Sequence, residues 1–359
     1  MLQIAPHRYQ SAPGALQDIG KNLEQLGERA LVIANKTVIE RFEDVVRKSL
    51  KDSMIGFSFD VCLGECCLPE IERLVSIAEK QESDMIIGMG GGKTLDVAKY
   101  VAQLAGCKLI TVPTVVSSCA AFTNVVHLYN EDGEFIKEEE LDNSPDLLIL
   151  DYKIAGLAPS RHFAAGMSLA FAATSGEFSR GDSKDLLTSY PSRIALELAG
   201  HVRREVFERG KSAFSDVKKG ELTAAIEEAT EIIILETGLI HCLGGGAFRN
   251  SPGRLFAHFI HPYIDDNVLF GELVGLGTII ERNLYSSSVE ELKDIYRFYR
   301  DIEIPLTLSQ LGVPENQRGK IFSTVIEQIV KRAAEEPFAY SIDAKELEGA
   351  IRKADKDGE

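Results

Sequence analysis

The sequence predicts an α/β amino-terminal domain with a Rossmann-like parallel sheet, followed by an all-α carboxy-terminal domain. Three observations carry that prediction. Short, nearly uninterrupted apolar runs alternate with amphipathic helical stretches through the first 155 residues; a glycine-dense turn opens one of those helices; and from residue 156 helical periodicity continues with few strand signals. At 359 residues the chain exceeds what one core usually serves, so it divides into an α/β domain, 1–155, and a helical domain, 156–359.

Taken in order, RALVIA (29–34) reads as a strand, and TVIERFEDVVRKSL (37–50) carries Val38, Phe42, Val45, Val46 and Leu50 at helical spacing. MIGFSFDV (54–61) is the next strand, and PEIERLVSIAEKQ (69–81) a helix with proline in its first turn. DMIIGMG (84–90) is strand and loop, KTLDVAKYVAQLAG (93–106) a helix ended by Gly106, and KLITVPT (108–114) a strand. Continuous apolar strands joined by helices argue a doubly wound sheet with ligands at the carboxyl ends of its strands. Further on, ALELAGHVRREVFERG, ELTAAIEEATEIIILETGLIHCL, FGELVGLGTIIERNLY, VEELKDIYRFYRDI, QRGKIFSTVIEQIVKRAAEE and DAKELEGAIRKAD all read as helices, and the closing ADKDGE is expected to fray.

Charge narrows the function classes. Lys and Arg number 39 against 55 Asp and Glu, a net charge of −16 that repels a phosphate backbone and excludes nucleic acid as a partner. The start of the chain lacks a basic segment followed by an apolar one, and no apolar run approaches the roughly 20 residues of a bilayer span. The expectation is a soluble, cytoplasmic protein with no membrane partner. Six cysteines are too sparse for a disulfide scaffold, and Cys62, Cys66 and Cys67 read as reduced thiols at a strand end and turn, with no second Cys/His pair nearby to complete a metal site.

The turn GMGGGKTLDVAKY (88–100) carries the chemistry. Small residues let backbone N–H groups approach an anion, and the helix start adds positive dipole. A P-loop fits at Gly92, Lys93 and Thr94, but its first glycine would fall at Ile87. The G-x-G-x-x-G fingerprint fits Gly88 and Gly90, yet Lys93 stands at its third glycine. A turn without a ligand leaves three consecutive glycines unexplained, since each costs backbone entropy.

The stretch IIGMGGGKTLDVAKYVA, followed by ITVPTVVSSCAAFTNVVHLYNEDGEF, resembles the glycerol dehydrogenase branch of the iron-containing alcohol dehydrogenase family, which is related to the dehydroquinate synthases. The likeness runs on through PDLLILDYKIAGLAPSRHFAAGM to FAHFIHPY and SIDAKELEGAIRKAD. It implies a dehydroquinate synthase-like fold, a nicotinamide cofactor bound between the domains, a small-molecule substrate and a homo-oligomer. Gly91, Gly92, Lys93 and Thr94 match the pyrophosphate turn; Thr114 and Ser117 match a segment lining the adenine and nicotinamide side, with Thr123, Val125 and Tyr129 further along the nicotinamide loop. Asn35 stands where the family often has an Asp on the adenosine ribose. With Lys36 beside it, this neutral residue leaves both NAD and NADP open.

The same resemblance implies a divalent metal held by one Asp and two His, polarising the substrate oxygen. Here the Asp position is Leu169, the first His is His258, and the second His position is Phe270. Neither Leu nor Phe donates a lone pair, so the metal is in doubt. Cys119 replaces a substrate-contacting Asp, and with Phe122 three residues on it leans toward 2-oxo carboxylates rather than glycerol. His258 and His261, at i and i+3, admit three readings: a rebuilt metal site drawing on His241, Cys242, Asp265 or Asp266, structural histidines, or a general acid/base for metal-free hydride transfer. His127 reads as a strand histidine beside the cofactor, and Arg249 or Arg254, around a second glycine-rich stretch, as a partner for a substrate carboxylate or phosphate.

The leading expectation is an NAD(P)-dependent oxidoreductase on a small alcohol, carbonyl or hydroxy acid. The rival is a catalytically degenerate nucleotide-binding protein with a sensing or regulatory role, and a phosphoryl-transfer enzyme stands third.

Overall fold

Strand β1 (Arg8–Ala12) and the short helix α1 (Ile19–Leu23) lead into β2 (Arg29–Ala34), α2 (Lys36–Asp52), β3 (Gly56–Val61), α3 (Leu68–Lys80), β4 (Met85–Gly90), α4 (Gly92–Ala105) and β5 (Lys108–Pro113). A hairpin of β6 (Val125–Tyr129) and β7 (Phe135–Glu140) intervenes before β8 (Leu147–Asp151) and α5 (Tyr152–Leu157). This computed structural model describes residues 2–4, 6–174, 189–265, 267–285, 287–335 and 342–359.

The six strands other than the hairpin form one sheet in the order β1-β8-β5-β4-β2-β3, parallel throughout. Alternation explains how β4 serves two cores. Met85, Ile87 and Met89 face a cluster with Leu16, Ile19, Leu23 and Leu50, whereas Ile86 faces Ile71, Leu74, Val97 and Val101. Both faces are therefore covered, which is why the strands read as continuous apolar runs. The α/β expectation holds, with β6 around the strand histidine His127 and strands β1, β7 and β8 added to those read from the sequence.

The helices that follow are α6 (Ser160–Ala173), α7 (Tyr190–Lys219), α8 (Ala224–Glu231), α9 (Thr237–Gly244), α10 (Gly246–Arg249), α11 (Pro252–Ile260), α12 (Phe270–Leu284), α13 (Val289–Asp301), α14 (Arg318–Glu335) and α15 (Ala344–Gly358). Contacts divide the chain into one unit of Met1–Pro159 with Asp216–Gly238, and a second of Ser160–Ser215 with Leu239–Glu359. Residues 216–238, helical in texture, belong to the sheet-containing unit, where the hydroxyls of Tyr9 and Tyr152 donate to the Glu231 carboxylate. No described helix is long and apolar enough to cross a membrane.

The expected fraying of the last residues is corrected. Helix α15 runs to Gly358 because Asp355 accepts from Leu308 N at 2.7 Å and from the Arg318 guanidinium at 2.9 Å, while Ala354 and Gly358 are buried.

Candidate active site

The glycine turn joins β4 to α4. Its N-cap, Gly91, is extended and offers no side-chain cap, so the first N–H groups of α4, from Gly92, Lys93 and Thr94, have neither a helical partner nor a capping oxygen. The loop after β5 presses on this turn. A Cβ at Gly91 would lie 3.3 Å from Val115 Cγ2, one at Gly92 would lie 3.3 Å from Ser118 Oγ, and Thr114 N donates to the Gly90 carbonyl at 3.1 Å. Gly91, Gly92, Lys93, Thr94, Thr114 and Ser117 are thus brought together, in a cradle that side chains at the glycines would fill. That arrangement fits a dinucleotide's pyrophosphate.

Asn35 follows β2, whose Ala34 pairs with Met89 of β4, so it stands at the same edge of the sheet. Its side-chain oxygen is engaged, accepting from Val38 N at 2.8 Å as the cap of α2. Lys93 is ion-paired with Glu65 of the β3–α3 loop. Cys62, Cys66 and Cys67, in that loop, are buried free thiols, and burial pushes the Cys62 thiol up to about 12.

Thr123, Val125 and Tyr129, expected on the nicotinamide side, lie on β6 or just before it. The buried Lys99 of α4 donates to the Val125 carbonyl and pairs with Asp96 at 2.6 Å. Asp96 in turn accepts from His127 N at 3.1 Å and faces His127 Nδ1 at 3.4 Å, while Glu138 of β7 lies 3.5 Å from Nε2. Burial alone would lower the His127 pKa, but hydrogen bonds to Asp96 and Glu138 prevail and push it up to about 9. Burial opposes ionisation of Asp96 as well, yet the charge of Lys99 and the hydrogen bond from His127 hold its carboxyl below the usual range. This chain ties α4 to the strand carrying Val125 and Tyr129, and Tyr129 N donates to the Cys66 carbonyl at 3.0 Å. Thr123 is buried just before it. The sequence reads His127 as a strand histidine beside the cofactor; the signal for its partners is the opposite-charge pair Asp96 and Lys99 at i and i+3 of α4, flanked by Leu95, Val97 and Ala98.

The expectation of a substrate contact at Phe122 is corrected by packing. Its ring is fully buried, edge-on to Tyr9 at 6.4 Å, and so close to Gly238 that a Cβ there would lie 2.4 Å from Phe122 Cδ1. Cys119 is buried at the start of the same turn, its carbonyl accepting from Phe122 N.

In the helical unit, Leu169, His258 and Phe270 lie on α6, α11 and α12, whose backbones meet. A Cβ at Gly271 would lie 2.3 Å from the Ala165 carbonyl oxygen, and one at Gly253 would lie 2.4 Å from that of Gly277. Leu169, four residues after Ala165, shares its face of α6. The His258 and Phe270 rings are in contact, with centroids 4.5 Å apart and planes tilted by 42°. Glu272, in the first turn of α12, is buried, paired with Arg161 and accepting from Leu269 N at 2.8 Å.

His261 closes α11, starting the turn His261–Tyr263. Arg249 donates to the His241 carbonyl at 3.2 Å, and the buried Arg254 lies 3.4 Å from His241 Nε2, so both arginines are drawn to His241. Asp265 accepts from Asn267, and Asp266 lies outside the described residues. Two of the three side chains at the expected ligand positions are hydrocarbon, and the imidazole at the third faces an aryl ring. These residues do not fit a metal ion. Among the described residues no group of three or more His, Cys, Asp or Glu is placed to hold one.

A parallel sheet with an anion-ready glycine turn, continued by a helical unit presenting a buried histidine, defines the dehydroquinate synthase-like fold class. Residues 6–152 match the iron-containing alcohol dehydrogenase family model. Glycerol dehydrogenase of Escherichia coli O6:H1 is 31% identical, over 88% of this chain and 86% of that one, and glycolaldehyde reductase of Halobacterium salinarum is 30% identical, over 86% and 84%. Among solved structures, a probable glycerol dehydrogenase from Sinorhizobium meliloti superposes with a TM-score of 0.87 at 25% identity, covering 100% of this chain and 99% of that one. The chain belongs to the iron-containing alcohol dehydrogenase family, on its glycerol dehydrogenase-like branch, and is an alcohol dehydrogenase-like oxidoreductase.

Proposed function

We propose that the chain transfers hydride between NAD(H) or NADP(H) and a small alcohol, carbonyl or hydroxy acid, without the branch's metal ion. The observation that carries this reading is the uncapped turn Gly91–Thr94, pressed by the loop from Thr114 to Ser118 at the positions matching the family's pyrophosphate site. The nicotinamide, when bound, supplies or accepts the hydride. Gly92, Lys93 and Thr94 hold the pyrophosphate through backbone N–H groups, and Asn35 with Lys36 puts no negative charge against a 2′-phosphate.

The proton lost from the alcohol needs an acceptor, and the buried imidazole of His258 serves, with His261 at the end of the same helix as the second candidate. Leu169 and Phe270 line that position with hydrocarbon and keep water from it. Cys119 and Arg249 remain the proposed substrate contacts. The names of the relatives, glycerol dehydrogenase and glycolaldehyde reductase, support a small hydroxylated or carbonyl substrate. A cytoplasmic homo-oligomer completes the reading.

The test is a titration with NADH and NADPH followed by nicotinamide fluorescence, then a screen of small alcohols, aldehydes and 2-oxo acids with zinc or with a chelator. Saturable binding and chelator-insensitive turnover are expected. Absence of binding to either nucleotide refutes the proposal, and activity abolished by chelator and restored by zinc refutes its metal-free part.

A further inference from the structure

Glu65 does something the cofactor reading leaves unexplained: it places a carboxylate on the turn that is to receive phosphates. Its Oε1 pairs with the Lys93 ammonium, on the second residue of α4. The two partners differ in exposure, 21% for the Glu65 side chain and 54% for that of Lys93. The other carboxylate oxygen, Oε2, is buried and has no hydrogen-bond partner among the described residues. A half-satisfied buried carboxylate is costly, so Glu65 is held chiefly by the charge of Lys93 rather than by a full set of donors.

The loop that presents it is anchored at both ends. Leu63 N donates to Glu70 at 2.8 Å, and the Cys66 carbonyl, next to Glu65, accepts from Tyr129 N at 3.0 Å. Glu65 is thus fixed between the phosphate turn and the strand assigned to the nicotinamide side. A pyrophosphate on the N–H groups of Gly92, Lys93 and Thr94 brings negative charge against this carboxylate and competes for the same ammonium.

We infer that Glu65 is a built-in counter-ion of the nucleotide turn: it neutralises Lys93 in the empty protein and weakens dinucleotide binding because the pyrophosphate must displace it. The inference rests on the nucleotide-binding reading above. Its consequence is unusual for a residue beside a binding site, since removing its charge strengthens binding.

The experiment is a fluorescence titration of NADH and NADPH against the full-length wild type, Glu65→Gln, Lys93→Met and the double variant, with thermal unfolding of each to establish that it is folded. Glu65→Gln is expected to bind about three- to fivefold more tightly than wild type, as for release of a partly exposed ion pair. In the Lys93→Met background the same change is expected to bring a smaller gain, since only the direct repulsion between carboxylate and pyrophosphate is then left to relieve. Unchanged or weaker binding by a folded Glu65→Gln protein overturns the inference while leaving the nucleotide reading intact, and so does a gain that is undiminished without Lys93. If neither wild type nor Glu65→Gln binds either nucleotide, the nucleotide reading itself fails and takes the inference with it.

Discussion

Replacing His127 with Gln isolates the ionic chain that ties α4 to β6. In the folded protein this imidazole is pushed from 6.5 up to about 9, because the hydrogen bonds to Asp96 and Glu138 outweigh the burial that opposes its charge. A group whose pKa is higher folded than unfolded contributes stability that is fully present below about 6.5 and lost as pH rises through about 9. At about 1.4 kcal/mol per tenfold change in proton affinity, the difference amounts to about 3 kcal/mol. The ring is 28% exposed, so water screens part of this, and about 1–2 kcal/mol is the working figure. Gln keeps a hydrogen bond to Asp96 but no charge. The chain has no Trp, so urea unfolding is followed by far-ultraviolet circular dichroism. Wild type is expected to exceed His127→Gln by that amount at about pH 6, and the gap is expected to close by about pH 10. A gap of equal size at both pH values refutes a charged His127.

Three further outcomes follow from the packing. Gly271→Ala forces a Cβ to within 2.3 Å of the Ala165 carbonyl oxygen and is expected to cost about 2–3 kcal/mol in thermal unfolding, whereas Gly319→Ala meets nothing within 4 Å and is expected to cost nothing. Arg161→Met strands the buried Glu272 carboxylate and is expected to cost about 2 kcal/mol, read by urea denaturation. Leu169→Asp combined with Phe270→His returns oxygen and nitrogen donors to α6 and α12, so zinc is expected to raise the unfolding temperature of the double variant and not of wild type. An equal rise in wild type contradicts the metal-free reading.

The central sheet was legible because both of its faces are covered, leaving β2, β4 and β5 as unbroken apolar runs that differ plainly from the amphipathic helices between them. The edge strand β1, RYQSA, carries no such run, and β7, FIKEEE, is largely charged. Both are strands through pairing with β8 and β6 rather than through their own composition. The π-helical turn at Ile232–Glu236, joining α8 to α9, was likewise hidden inside a continuous helical pattern. At the nucleotide turn, spacing alone exposed the glycines and Lys93, but Glu65 lies 28 residues upstream and only folding brings it there. Phe122 misled for the converse reason: its spacing from Cys119 said nothing of Gly238, the residue whose missing side chain makes room for its ring.

The same distinction explains how the helical unit can keep its architecture while losing its expected metal donors. What sets the approach of α6 to α12 is backbone against backbone at Ala165 and Gly271, and what sets α11 against α12 is Gly253 against Gly277. None of these contacts uses the side chains of Leu169, His258 or Phe270. Replacing an Asp by Leu or a His by Phe therefore changes the chemistry at the meeting point without asking the helices to move, and the aryl ring at Phe270 gains the imidazole of His258 as a neighbour. Hydrocarbon side chains at two of the three positions leave a single buried imidazole there. On the metal-free reading proposed above, hydride transfer there would depend on how well His258 takes and returns a proton.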